Sequence, residues 1–331
     1  MNRAAILIGL VLLSAAVFVI APLVGMKDTP VQALWGDADP VAVRILWKIR
    51  IPRVAMAYLA GAGLAVSGMA FQALFRNPLA TPFTLGVASG ASLGAVASIH
   101  LGLTFSVLGF SSVSWFAFLG AMLSIVLVYG LTRVGQGFST ATMLLAGVAI
   151  SFFFSSLILF FQYFSDFTRT FVMLRWVMGG LEGVAGFGDV LGMLPLVVVG
   201  LVVVLSLTHE LNIITTGEDL AAARGVSVNR TKILVFLAAS LMVGGVVAVC
   251  GPIGFVGLMA PHICRLTIGA DHRHLMPATL LFGGLFLALC DTLARTIMAP
   301  TELPVGIITS LLGGPFFLWL LVSRAARLDS L

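Results

Sequence analysis

The sequence predicts an all-α polytopic membrane protein of about ten transmembrane helices, on three observations. Hydrophobic residues make up 60% of the 331 positions, while Asp, Glu, Lys and Arg together make up only 9%, against roughly a quarter in soluble globular domains. Mean hydropathy is +1.13. The few charges are bunched, leaving uncharged windows as long as a bilayer-spanning helix. So little charge cannot solvate a globular surface, which excludes a water-soluble enzyme. The hydrophobicity equally excludes a disordered chain. Residues 1–331 therefore read as a single transmembrane domain.

The windows locate the helices in order. Residues 4–26 carry no charge; the basic start at Arg3 resembles a secretory leader, but the apolar stretch exceeds the roughly 7–15 residues usual there, which favours a retained first helix. Residues 54–75 would span about 33 Å as helix. Between Arg76 and Arg133 only His100 titrates near neutrality, so that stretch must cross twice, with a break in the Ser/Gly-rich 106–114. Residues 134–165 and 190–208 each hold one span. Residues 233–264 hold a full span and the start of another, interrupted at Gly251-Pro252. Residues 275–290 run on into Asp291 and Arg295, and 303–323 close the chain.

The net charge of +5 has two readings, an anionic partner or Lys and Arg marking cytoplasmic helix ends. The second is favoured in a membrane protein. No extended basic run supports nucleic-acid binding. With ten spans and the N-terminus inside, both termini are cytoplasmic. Five basic residues then fall together on the other side: Lys27, Arg44, Lys48, Arg50 and Arg53. Cys250, Cys264 and Cys290, odd in number and set in apolar stretches, suit packing rather than a disulfide framework. The short likeness between Phe71–Leu74 and Phe255–Leu258 hints at an inverted repeat, a frequent transporter design, though chance in an apolar sequence accounts for it equally well.

Missing chemistry narrows the function. No glycine precedes Lys27, Lys48 or Lys232, the only lysines, so the chain has no phosphate-cradling loop and no catalytic site for ATP. The spans lack the carboxylates of an ion-coupled carrier and the ligands a bare metal ion would need. His262, His272 and His274, beside Arg265 and Arg273, could hold a metal, but a solvated basic turn is the favoured reading. What remains is a helical pathway for something bulky, driven from outside. An ion-coupled secondary transporter and a non-transporting scaffold stay as alternatives.

Residues 209–232 read as a cytoplasmic segment with a short helix. Thr216 is placed to cap it, Glu218 and Asp219 suit the positive end of its dipole, and Gly225 can stop it in a left-handed turn. By physics alone this is a capped connector. Gly217–Gly225, with Ala222 and Arg224, nevertheless resembles the ATPase-coupling motif of ABC importer permeases. The likeness extends to Arg50-Ile-Pro-Arg53, to Ala60–Gly68, and to Phe75-Arg-Asn-Pro-Leu-Ala-Thr-Pro82 with Leu85-Gly86. It continues through Gly254–Leu258 with Pro261, His262 and Arg265, Asp291 with Ala294-Arg295, and Glu302-Leu-Pro with Gly306. These motifs resemble, in order and over nearly the whole chain, the iron–siderophore, haem and vitamin B12 permease family.

The resemblance implies an inverted-repeat type II ABC importer fold in the bacterial inner membrane. It implies a homodimer with two ATPase subunits, which use the ATP and Mg, and one periplasmic binding protein; no cofactor is held by the chain itself. It assigns Arg50, Arg53 and Arg295 to docking of the binding protein, with Arg44 and Lys48 beside them; membrane-interface snorkelling is the alternative. Tyr163, Met173, Arg175, Trp176 and Met178 follow the fifth span, where the family's pathway lies. Arg175 could meet an anionic chelate, pair with Glu182, or bind a lipid phosphate. A ferric siderophore is the first expectation for the substrate, then haem, then cobalamin.

Overall fold

The computed structural model describes residues 3–25, 29–81, 83–134 and 140–328. Helix α1 (Arg3–Ile20) is followed by α2 (Pro40–Ile45), a single π turn at Leu46–Arg50, and α3 (Ile51–Leu74). Then come α4 (Val87–His100), a two-residue hairpin of β1 (Ser106–Val107) and β2 (Phe110–Ser111), α5 (Ser112–Val134), α6 (Thr140–Tyr163) and α7 (Phe167–Val177). The chain continues through α8 (Phe187–Ser206), α9 (Thr208–Ile214), α10 (Glu218–Ala223), α11 (Val228–Cys250), α12 (Val256–Ile268), α13 (His272–Ala294) and α14 (Val305–Leu328). Among the described residues seven helices are long and apolar enough to cross a membrane, and three shorter apolar ones, Val87–His100, Val256–Ile268 and Val305–Leu320, complete the set. The breaks expected at 106–114 and at Gly251-Pro252 are present as the hairpin and as the link between α11 and α12.

One boundary differs. Arg44, Lys48 and Arg50 are expected in a connecting segment, yet residues Pro40–Leu74 form one continuous helical run. Pro52 has no N–H to donate backwards, and the ladder just before it widens into the π turn, so the helix continues past the proline instead of starting there.

Helix α3 lies at the centre, packed on α13, α11, α12 and α8. About 83% of its best apolar window is buried, against 11% for α1 and 22% for α8, so the outer helices turn Leu, Val and Phe toward lipid or a partner. Without water as a driving force, helices in a bilayer associate through close contact at small residues. Here that contact is backbone to backbone. A Cβ on Gly61 would lie 2.2 Å from the Gly283 carbonyl oxygen, and one on Gly68 only 1.8 Å from that of Gly257. Gly90 and Gly120 join α4 to α5 in the same way. Cys250, Cys264 and Cys290 are buried, in keeping with a packing role.

Gly68→Val should therefore push α3 off α12 and destabilise the protein by at least the ~1–3 kcal/mol of ordinary overpacking, read as a lowered thermal unfolding temperature in detergent. Gly130→Ala on α5, where nothing lies within 4 Å, should leave it unchanged. Equal melting of both variants would contradict the close contact.

Candidate functional site

At one end of the bundle three buried arginines gather, two of them, Arg53 and Arg295, on the carboxylate of Asp291. Arg53, in the first turn of α3, places Nε and Nη2 on Asp291 of α13 at 2.9–3.1 Å, and Nη1 on Glu302 at 2.7 Å. The Asp291 side chain is 1% exposed, that of Glu302 25%. Arg295 follows α13; its Nη2 donates to the Ala21 carbonyl at 2.7 Å, and its Nε lies 3.9 Å from Asp291. Arg50 donates to the carbonyls of Pro22 and Leu23 and to Thr29 Oγ1. The cluster thus binds the end of α1, the start of α3, the end of α13 and the approach to α14. A buried guanidinium needs its donors occupied; Arg53 uses Nε, Nη1 and Nη2, whereas Arg295 Nε is buried with no hydrogen bond among the described residues.

At the opposite end lie Arg3, His209 and His274. Arg3 Nη1 approaches His274 Nδ1 at 3.5 Å, and Arg273 meets His209 at 3.0 Å. Beside them is α10. Its N-cap is Gly217 rather than Thr216, whose hydroxyl instead donates to the Ile213 carbonyl at 2.7 Å and finishes the preceding turn. Gly225, at φ +83°, ends the helix in a left-handed turn, closed by Val226 N–H on the Ala221 carbonyl. Asp219, Ala222, Ala223 and Arg224 are exposed. Glu218 holds the helix from behind through Lys232 Nζ at 2.6 Å, a lysine buried in the first turns of α11.

Asn212 of α9 donates to Asp271 and accepts from His272. That bond from Asn212 is the chief cause holding the Asp271 carboxyl below its usual range. His272 and His262 are buried, the latter against Phe316, while Arg273 is exposed and His274 partly so, so the solvated basic turn forms only in part.

Between the two ends a cavity of about 670 Å³ opens among α4, α6, the ends of α7 and α11, and α14. Its wall is formed by Ser89, Ser92, Ser155 and Ser310 with apolar residues that include Phe83 and Met178, and among the described residues no charged side chain lines it. The non-helical stretch Gly251–Phe255 borders it through Pro252 and Gly254. Irregular backbone at membrane depth is tolerated where it is packed in protein or lines a cavity.

The profile of the FecCD transport family matches residues 6–323. The chain belongs to the FecCD transport family. It is 39% identical to the hemin transport system permease protein HmuU of Yersinia pestis, over 91% of this chain and 90% of that one. It is 43% identical to the cobalamin import system permease protein BtuC of Halobacterium salinarum, over 86% and 74%. Among solved structures, an inward-facing metal-chelate type ABC transporter superposes with a TM-score of 0.87 at 32% identity, covering 97% of this chain and 99% of the other. The protein is thus a permease subunit of the metal-chelate, haem and vitamin B12 class of ABC importers, with the type II importer fold.

Against this FecCD frame the site residues expected from sequence divide. Gly217, Glu218, Asp219, Ala222, Arg224 and Gly225 form one exposed helical turn. Arg50, Arg53 and Arg295 do meet at one end, but they are buried rather than outward-facing, because Asp291, Glu302 and the α1 carbonyls lie within reach. Arg44 and Lys48 are exposed; Lys27 lies outside the described residues, as does Pro82. Of the pathway residues, Met178 lines the cavity, Tyr163 is 84% exposed and Trp176 half-buried. Met173 is fully buried in this structure. Arg175 pairs with Glu182 at 2.9 Å. Sequence reading missed the cavity serines, although Ser89 and Ser92 share a helical face. It also missed Asn212, whose partner Asp271 carries the cap signal of a residue placed just before a helix.

Removing Asp291 leaves Arg53 and Arg295 buried without their shared counter-charge. Asp291→Ala should cost about 3–5 kcal/mol of stability, read as a lowered unfolding temperature. Adding Arg53→Met should recover part of it. An Asp291→Ala variant as stable as the parent would show the cluster to be incidental.

Proposed function

We propose that this chain forms the membrane pathway of an ATP-driven importer for a large organic metal chelate. It would act as a homodimer with two ATPase subunits and a periplasmic binding protein, with both termini cytoplasmic in a bacterial inner membrane. The observation that carries this reading is α10. A six-residue helix is presented with Ala222 and Ala223 outward, small enough to enter a groove, and is braced from behind by the Glu218–Lys232 pair. A mere connector needs no such bracing. Chain reconstituted alone in liposomes should be inert, and adding ATPase and binding protein should give ATP-dependent uptake. Ala222→Trp should abolish that uptake while the permease stays folded. Uptake driven by an ion gradient alone, or wild-type transport by Ala222→Trp, would overturn the reading.

For the substrate, the uncharged hydroxyl-bearing cavity suits a chelate that hides its metal better than a bare ion. A ferric siderophore is the expectation from sequence. The relatives named for hemin and cobalamin give those chelates specific support as a second reading. The ligand that copurifies with the partner binding protein distinguishes them.

The exposed positive charge at the arginine end supports docking of that protein there. Arg44 and Lys48 offer exposed positive charge, while Arg53 could exchange the part-exposed Glu302 for a partner carboxylate; Arg50 and Arg295 hold the platform in place. Charge-guided encounter is faster than uncharged encounter and is screened over about 8–10 Å in salt. Arg44→Glu with Lys48→Glu should slow association, and rising ionic strength should slow the parent likewise. Association indifferent to both would move docking elsewhere.

A further inference from the structure

Helix α9 stands between the proposed ATPase contact and a strut that crosses the whole molecule. Leu211 and Ile214 are buried, and α9 packs against α13 and α3. Two side chains link it to α13: His209, which meets Arg273 at 3.0 Å at the exposed edge, and the more deeply set Asn212. Asn212 Nδ2 donates to Asp271 Oδ1 at 2.7 Å, and Asn212 Oδ1 accepts from the His272 backbone N–H at 2.9 Å and lies 2.7 Å from His272 Nδ1. A carbonyl oxygen can only accept, so the His272 ring must carry its hydrogen on Nδ1, and this amide orientation satisfies all three contacts. Asp271 and His272 are the N-cap and first residue of α13. Asn212 therefore grips a helix by its first turn.

What it grips is stiff. From His272 to Asp291 helix α13 rises about 28 Å, lies on α3 at the Gly61–Gly283 contact, and ends in the Arg53–Asp291 pair. At the near end, only three residues separate Ile214 of α9 from Glu218, where α10 begins. A shift of α10 cannot leave α9 behind, and α9 is bonded to α13.

We infer that Asn212 is a positioning residue for transport, joining α9 to α13 so that movement at the ATPase-facing turn reaches the arginine end of α3 and α13. This rests on the importer reading above, whose own failure would appear separately, as wild-type permease inert with ATPase and binding protein present. The chain of contacts is physical, but coupling along it is established only by perturbation. An isosteric exchange supplies a clean one. Asn212→Asp places a second carboxylate against Asp271 and loses the donor. Combining it with Asp271→Asn returns one donor and one acceptor to the pair; because Asp271 Oδ1 also accepts from the Arg273 N–H, the new amide has to keep its oxygen on that N–H, as a capping asparagine does, and turn its nitrogen to residue 212.

The test uses the complete complex in proteoliposomes and reads chelate moved per ATP hydrolysed, a ratio that loss of folded protein does not change. Asn212→Ala and Asn212→Asp should each lower this ratio about tenfold, within the range of ordinary coupling energies, with ATP hydrolysis kept within about twofold. The combined Asn212→Asp and Asp271→Asn exchange should restore at least half of it. An unchanged ratio in Asn212→Ala overturns the inference. Should Asn212→Ala fail to assemble with the ATPase, the isosteric set decides alone: equal ratios for Asn212→Asp and for the combined exchange overturn it.

Discussion

The rest of the structure depends on the backbone contact between α3 and α13. Gly61 and Gly283 touch with no room for a Cβ, and because the two helices run antiparallel, that contact sets their register. Arg53 stands eight residues before Gly61, and Asp291 eight residues after Gly283. Both are thus about 12 Å from the crossing, on the same side. The ion pair follows from the glycines. On the other side of the crossing Gly68 meets Gly257, which brings α12 onto α3, and Gln72 then reaches the Gly257 carbonyl and Arg265. One stripe of small residues thereby orders three helices and delivers the buried polar groups to their partners.

The arginine cluster shows the cost and the use of charge in such a setting. Removing an ion pair from water costs several kcal/mol per ion, and attraction repays that only with good geometry. Here a bidentate contact, a second carboxylate and the freed carbonyls after α1 together supply it. Those carbonyls at Ala21, Pro22 and Leu23 are orphans of a helix end, and Arg50 and Arg295 satisfy them. The cluster fastens α1, which is otherwise barely buried, onto the central pair.

Much of this was legible in the sequence. The spans, the breaks at 106–114 and Gly251-Pro252, and the turn ended by Gly225 follow from charge spacing and glycine chemistry, which are local. The exposure of Arg50 and Arg53 was not legible. Positive charge at a span end reads as solvated or snorkelling unless its counter-ion is known, and Asp291 lies 238 residues from Arg53. Thr216 misled for a related reason: a hydroxyl beside a helix start is a capping candidate, but this one is used by the turn before it. Lys232 and Asn212 show the same limit, since their partners are chosen by packing between segments and not by neighbours in the chain.

The cavity completes the division of labour. Its wall offers serine hydroxyls and apolar surface but no fixed charge, so it can hold a bulky chelate only weakly. In a pathway that is a virtue, since a site must bind well enough to admit its cargo and weakly enough to release it. Among the described lining residues there is thus no charged group with which to choose one cargo over another. The part of the chain under the tightest geometric control is accordingly the glycine-packed, ion-paired unit of α3 and α13, which can relate what happens at one end to what happens at the other.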